Sequence, residues 1–263
     1  NFKIIYAIDP IKKRRLIAEK YFNCKTHDDL NILKNKRIDF LVICSPTSSH
    51  LKTFLKLLKI LKKTPKIILF EKPVGLTVKQ SKKIKQICKQ KKIIAFVNYF
   101  RDYEEKFIKI KKIFNKYSIG YVEFSGNYRN NSSHFVSLFI SIFGKPTKVK
   151  IINKKKTMKD YIVDFKLNFK NNNVCYFKNT YYKKNHHFFE LYNKKKFLTF
   201  NNFNQTLNIQ SDKKNKFEKI QLSPNFNNVY KNVINYFNKR KYCLSSIENA
   251  IEVHKILSIC QKK

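Results

Sequence analysis

A glutamate and a lysine stand together at Glu71-Lys72, directly after Ile67-Ile68-Leu69-Phe70 and directly before Pro73. An apolar run without polar alternation fits a strand buried on both faces, as parallel sheets use. Pro73 lacks the N–H that a ladder needs and drives Lys72 toward an extended backbone, so the chain must turn there. A carboxylate and an ammonium are thereby held at the carboxyl end of a buried strand, where open α/β sheets place their ligands. The same pair also suits a plain strand-end ion pair. Two other strand ends carry polar groups. Asp9 closes the apolar run from Phe2 to Ile8, and Ser45-Pro46-Thr47-Ser48-Ser49-His50 follows the run from Asp39 to Cys44. The second of these opens a helix, whose free N–H groups favour phosphate or carbonyl oxygens.

These positions need rigid carriers, and the pattern between them supplies strands and helices in alternation. A basic, helix-like stretch runs from Lys12 to Tyr21, followed by a turn-like, acidic segment from Thr26 to Leu30. Leu51, Phe54, Leu55, Leu58 and Leu61 recur at helical spacing. Thr77 and Gln80 form a capping box for a helix with Ile84, Ile87 and Cys88 on one face. Ile93 to Val97 is a further apolar strand. The reading is one parallel sheet of Ile4–Ile8, Leu41–Cys44, Ile67–Phe70 and Ile93–Val97, joined by right-handed crossovers. In such a dinucleotide fold a strand-end carboxylate like Asp9 accepts from the adenosine ribose hydroxyl. Residues 1–97 are therefore read as one α/β domain with its ligand side at the strand ends.

The texture changes at Asn98. Phe107, Ile110, Ile113 and Phe114 suggest a helix, Gly120 precedes a strand through Tyr128, and Ser133 to Phe143 reads as a short apolar helix ending at Gly144. Tyr161, Val163, Phe165, Leu167 and Phe169 then alternate with polar residues, as a half-exposed antiparallel strand does. Further strand-like runs cover Val174 to Tyr182, Phe188 to Tyr192 and Phe197 to Phe203. Two helices follow, around Val229–Asn238 and Ser246–Cys260, the last with a capping box from Ser245 to Glu248. Residues 98–263 are read as an α+β domain with a large open-faced antiparallel sheet.

The formal charge of +40 invites a nucleic-acid reading. Only six of the 57 basic residues are arginine, the side chain suited to phosphate and base edges, and the lysines are spread from end to end. Abundant Asn, Ile, Phe and Tyr beside scarce Gly and Ala match an AT-rich coding sequence, so no specific nucleic acid is expected. Loose, salt-sensitive polyanion binding is. No run approaches the ~20 apolar residues of a membrane helix. No leader of signal type opens the chain, and the six cysteines lack a Cys-x-x-Cys. The expectation is a cytoplasmic protein without membrane contact. His186 and His187, adjacent on a strand, point to opposite faces and are read as structural rather than as ligands of one metal.

Taken together, Asp9, Val42-Ile43-Cys44-Ser45-Pro46 with His50, Glu71-Lys72-Pro73, Asn98-Tyr99-Phe100-Arg101, Gly120, Asn131-Ser132-Ser133-His134 and Ser246-Ile247-Glu248-Asn249-Ala250 resemble the glucose–fructose oxidoreductase / inositol dehydrogenase / rhizopine-catabolism (Gfo/Idh/MocA) family over nearly the whole length. The resemblance implies an NAD(P)-binding Rossmann domain over residues 1–97, a substrate-binding and oligomerising sheet domain whose C-terminal helices pack back on the first, and a homo-oligomer formed through the antiparallel sheet. It implies hydride exchange between a nicotinamide cofactor and a sugar, cyclitol or sugar nucleotide. The Asn-Ser-Ser-His variant looks most like members from surface-polysaccharide pathways. His134 would act as the base for the hydroxyl proton, and Lys72 would hold the alcohol oxygen. The cofactor would meet Asp9, Ser45, Pro46, His50, Glu71 and Lys72. The substrate would meet Asn98, Tyr99, Arg101 and Asn131. NAD is expected because Asp9 repels a 2′-phosphate, with NADP the alternative because Lys12, Lys13, Arg14 and Arg15 follow.

The family opens with a strand and a Gly-rich phosphate loop, and this chain of four glycines has neither, so about 30 residues of strand–loop–helix are expected to be lacking. Relatives usually carry Asp where Ser137 stands, and a longer segment where Tyr128-Arg129-Asn130 stands. Without the family, His134 reads as a helix-start histidine packed beside Phe135, and Arg101 suits either an anionic substrate or Glu104 and Glu105. Two rival functions follow: a protein of this fold that binds without turnover, and a nucleic-acid binder.

Overall fold

The computed structural model describes residues 3–157, 161–180, 186–201, 205–211, 216–222, 227–239 and 245–260. They fall into two compact units, Asn1–Val97 and Asn98–Lys263. The first unit holds β1 (Tyr6–Ile8), α1 (Lys12–Phe22), β2 (Lys25–His27), β3 (Phe40–Ile43), α2 (His50–Ile60), β4 (Ile67–Phe70), α3 (Val78–Gln90) and β5 (Ile94–Val97).

Strands β3, β4 and β5 pair in parallel in that order, with Phe40 opposite Ile67 and Ile67 opposite Ile94. Every residue of β4 is buried, as its unbroken apolar run requires. Helix α2 contributes Phe54, edge-on to Phe70 at 5.5 Å, and α3 buries Ile84 and Cys88. Each such side chain contributes roughly 1.5–3 kcal/mol by leaving water. The start of α3 is capped as read: Thr77 Oγ1 accepts from the Gln80 N–H at 3.1 Å, and Gln80 Oε1 accepts from the Leu76 N–H at 2.9 Å.

The expected single sheet needs correction. Strand β1 pairs in parallel with β2 in a separate two-stranded sheet, Tyr6 opposite Lys25. Lys25–His27 is that partner strand, although Thr26 and His27 were expected in a turn-like segment, and three residues are too few for alternation to reveal it. Helix α1 has no buried residue. Phe2 lies outside the described residues.

The second unit begins with a 3₁₀ turn at Phe100–Tyr103, followed by α4 (Lys106–Ile113), β6 (Ile119–Phe124), α5 (Tyr128–Phe143), β7 (Lys148–Lys156), β8 (Tyr161–Asn168), β9 (Val174–Asn179) and β10 (His187–Asn193). It continues with β11 (Lys196–Asn201), β12 (Thr206–Ser211), β13 (Lys216–Gln221), α6 (Asn227–Phe237) and α7 (Ile247–Ile259). The eight strands form one sheet in the order β13-β12-β11-β10-β6-β9-β8-β7. All pairs are antiparallel except β6 with β9, which is parallel. Alternation reports which side chains are buried and is silent on strand direction, so that pair was not legible. Phe165 stacks on Phe177 with centroids 4.5 Å apart, and α5 lays Phe139 against Phe189 at 5.5 Å. Gly120 is there for space: a Cβ would come within 2.7 Å of Cys175 Sγ on β9.

Helix α5 is longer than the sequence suggests. Asn127 caps it by accepting from the Asn130 N–H at 2.8 Å, so Tyr128-Arg129-Asn130 is its first turn rather than a connection. The polar run reads as a loop, yet Ser132 and Ser133 are buried and bond back to Tyr128 O and Asn130 O at 2.5 and 2.7 Å. The cap of α7 is Ser246, which accepts from the Asn249 N–H at 3.2 Å, one residue later than expected. The lysine-rich β7 carries too few apolar residues to be read as a strand. The expected strand ends at Tyr182 and Phe203, and Cys243, lie outside the described residues. No helix among those described is long and apolar enough to cross a membrane.

Candidate active site

At the end of β4 the Glu71 N–H donates to Ile43 O at 2.9 Å, which ties the chain to β3 just as it turns. Glu71 and Lys72 are half-buried, the Lys72 N–H lies 3.3 Å from Glu71 Oε2, and the Lys72–Pro73 peptide is cis. Beside them the loop after β3 holds Ser45 half-buried and Pro46 exposed, with Ser49 Oγ 2.8 Å from Ser45 Oγ. His50 is fully buried. Its Nε2 lies 2.7 Å from Ser45 O and its Nδ1 3.4 Å from Val74 O. A carbonyl only accepts, so the short contact places the ring proton on Nε2. His50 therefore donates to the loop after β3, while its other ring nitrogen faces the Val74 carbonyl in the loop after β4 without a proton to share. The imidazole thus sits in the interior against the loop that carries Ser45.

Asp9 ends β1, its N–H donating to His27 O at 3.1 Å. One carboxylate oxygen accepts from the Ile11 N–H at 2.8 Å and the other lies 3.4 Å from Arg14 Nη1. Two contacts leave lone pairs for a hydroxyl, since a carboxylate offers about four acceptor sites. The donor set thus fits a dinucleotide: an acceptor at Asp9, and hydroxyl and ammonium donors at Ser45 and Lys72 on paired strand ends.

In the second unit, Asn98, Tyr99 and Arg101 are all buried. The His134 imidazole, half-buried on α5, packs against Tyr99 at 5.9 Å and Phe100 at 4.6 Å. It lies well inside the helix rather than at its start. The Arg101 guanidinium lies 4.6 Å over the rings of both Phe100 and Phe135, and 5.7 Å from Phe200. Burial brings its pKa down to about 9, with Asp102 opposing. It lines a small cavity together with Glu104, Gln205 and Asn228. Asn131 donates its side-chain N–H to Ser125 O at 2.5 Å, closing the turn at Gly126, whose φ of +72° suits glycine. Its amide nitrogen is thus occupied by the turn that leads into α5.

His186 and His187 face opposite ways, as expected. His186 Nε2 lies 2.6 Å from Glu123 Oε2, while His187 approaches Phe135 at 6.1 Å. Burial, then the charges of Arg101 and His186, lower the His187 pKa to about 4.

Asp102 was not singled out by the sequence. It is buried in the 3₁₀ turn, and Oδ2 accepts from Ser137 Oγ at 2.5 Å and from Asn249 Nδ2 at 3.0 Å. Burial raises its pKa to about 6 against the pull of Ser137, Ser245, Ser141 and Asn249. A signal existed: Ser137 and Ser141 stand one turn apart in the apolar second half of α5, a polar stripe that needs a partner.

Residues 1–99 match the family model GFO_IDH_MocA, described as an oxidoreductase family with an NAD-binding Rossmann fold. The match defines the class of this unit, NAD-binding and of oxidoreductase type, and bears out the Gfo/Idh/MocA resemblance over those residues. No curated protein matches the sequence. Among solved structures, UDP-N-acetylglucosamine 3-dehydrogenase GnnA from Acidithiobacillus ferrooxidans is similar with a TM-score of 0.78 at 12% identity, over 96% of this chain and 87% of that one. The dehydrogenase MviM from Clostridium difficile gives 0.79 at 17% identity, over 97% and 88%. An oxidoreductase from Agrobacterium radiobacter, solved with NAD+, L-tartaric acid and magnesium, gives 0.78 at 12% identity, over 97% and 86%. At these identities the likeness shows the fold: parallel Rossmann-type strands followed by a large mixed, mainly antiparallel sheet.

Proposed function

We propose that the chain is an NAD(P)-dependent oxidoreductase acting on a CH–OH or carbonyl carbon of a sugar, cyclitol or sugar nucleotide. The observation that carries this reading is Lys72, set at the carboxyl end of β4 in a unit that matches an NAD-binding oxidoreductase fold. Asp9 would hold the adenosine ribose, and Ser45, Pro46, Glu71 and Lys72 would line the remainder of the dinucleotide. The nicotinamide, when bound, supplies or accepts the hydride. The chain's own residues manage the proton: the Lys72 ammonium stabilises the oxygen as it becomes an alkoxide, and His134 takes the hydroxyl proton in oxidation or returns it in reduction. Asn98, Tyr99, Arg101 and Asn131 shape the wall beside His134. The sugar-nucleotide dehydrogenase among the similar folds supports that substrate class, the Asn131-Ser132-Ser133-His134 run carries the surface-polysaccharide reading, and Asp9 favours NAD. A cytoplasmic homo-oligomer joined through the outer face of the large sheet completes the reading.

The test is a titration of the full-length protein with NADH and NADPH by cofactor fluorescence, followed by sugar and sugar-nucleotide oxidation assays. Saturable NADH binding and turnover abolished by Lys72→Ala and His134→Ala are expected. Failure to saturate with either cofactor would overturn the reading.

A further inference from the structure

The 3₁₀ turn at Phe100–Tyr103 and helix α5 meet along contacts that run in matching order. Tyr99 and Phe100 meet His134, Arg101 meets Phe135, and Asp102 meets Ser137. The last contact differs in kind from the others. Ring contacts tolerate sliding, whereas a hydrogen bond weakens steeply with distance and angle. Ser137 Oγ and Asn249 Nδ2 converge on Asp102 Oδ2, and Asn249 Nδ2 also lies 2.9 Å from Ser137 Oγ and 3.3 Å from Ser141 Oγ. Three elements, the 3₁₀ turn, α5 and α7, therefore join at one sealed carboxylate oxygen. Apolar side chains would fill that space without the desolvation penalty a buried charge carries. What the polar junction adds is a fixed register.

That register bears on His134. Ser137 follows His134 by one helical turn, so the two share a face of α5. Any rotation or slide of α5 that displaces His134 from Tyr99 and Phe100 must also stretch the bond from Ser137 to Asp102. We infer that Asp102 is a positioning residue for His134, holding it through Ser137 and Asn249 without itself touching substrate. The inference rests on the reading of His134 as the proton-handling base. A carboxylate in place of Ser137 would face Asp102 with a like charge, so the hydroxyl at that position belongs to the same device.

The experiment compares wild type, Asp102→Asn and the exchanged pair Asp102→Asn with Asn249→Asp, which restores one carboxylate and one amide with their places reversed. The first readout is the His134 ring-proton resonance, assigned by its loss in His134→Gln. Its position is set by ring currents from Phe100 and Tyr99 and needs no turnover. The second is steady-state kinetics. In Asp102→Asn the resonance should move and kcat should fall on the order of 10²-fold, as for a displaced reacting group. The KM for cofactor should stay within about twofold. The exchanged pair should recover both. An unmoved His134 resonance in folded Asp102→Asn overturns the inference, and so does an exchanged pair that regains thermal stability without regaining the resonance. If wild type turns over no substrate, the reading of His134 as a base fails and the resonance alone decides the positioning. If Asp102→Asn does not fold, Ser137→Ala removes a single donor and is read in the same way.

Discussion

Lys72 and Asp102 are charged residues held in opposite ways. Lys72 is half-buried at a strand end, directly after Glu71, whose backbone N–H is tied to Ile43 O on β3. Asp102 is sealed, and what places it is its own side chain, through Ser137 and Asn249. Changing a residue that the backbone positions removes chemistry and leaves the fold. Changing one that its side chain positions disturbs both at once.

Lys72→Ala should give the largest effect and the cleanest separation. Turnover should drop on the order of 10²–10³-fold, as when a charge that stabilises a developing oxyanion is lost. Unfolding free energy should stay within about 0.5 kcal/mol of wild type. Kinetics and urea melts on one preparation check both halves, and a large loss of stability would show that Lys72 is not held by backbone alone.

Gly120→Ala tests the sealed side without any charge. A Cβ there would meet Cys175 Sγ at 2.7 Å and Leu191 Cδ2 at 3.1 Å. Overpacking of this kind costs roughly 1–3 kcal/mol. Adding Cys175→Ala should return most of it in the same melts, and a purely additive double variant would mean the clash is not the cause.

Asp102 itself should show in the pH dependence of stability. Its pKa rises from an ordinary 3.8 to about 6 in the fold, chiefly through burial, with Arg101 and Tyr99 as nearby ionisable groups. The folded chain then binds this proton more tightly than the unfolded chain does. The stabilisation is complete below pH 3.8 and is lost as pH rises through about 6. Relative to Asp102→Asn, wild type should lose about 2 kcal/mol between about pH 4.5 and about pH 6.5 in urea melts. A difference that grows with pH would reverse the assignment. Smallest of all is Arg14→Ala at the exposed partner of Asp9, which should weaken NADPH by about threefold and leave NADH alone.

The legible parts were those that depend on one stretch of chain. The runs Ile67–Phe70 and Ile94–Val97 announced buried parallel strands because both faces had to be apolar. The turn at Glu71-Lys72-Pro73 was legible because proline has few alternatives. What escaped depends on partners far away in sequence. Lys25–His27 becomes a strand only beside β1, and the direction of β6 relative to β9 leaves no trace in either strand. Asp102 looked like one more charge among aromatic residues, since its meaning comes from Ser137 and Asn249. His50 fell between the two cases: its place at a helix start was legible, while its burial against Ser45 O and Val74 O was not.

The parallel pairing of β6 with β9 also bears on how the second unit is made. Strand β6 is the centre of the large sheet, and its two partners begin only at Val174 and His187. While the ribosome works through α5, β7 and β8, both edges of β6 wait with their backbone groups unpaired. The hairpin of β7 and β8 needs no distant partner and can close at once. Synthesis therefore closes one rim before the middle and adds β11 to β13 outward afterwards, and both edges of β6 are open to mispairing until β9 emerges.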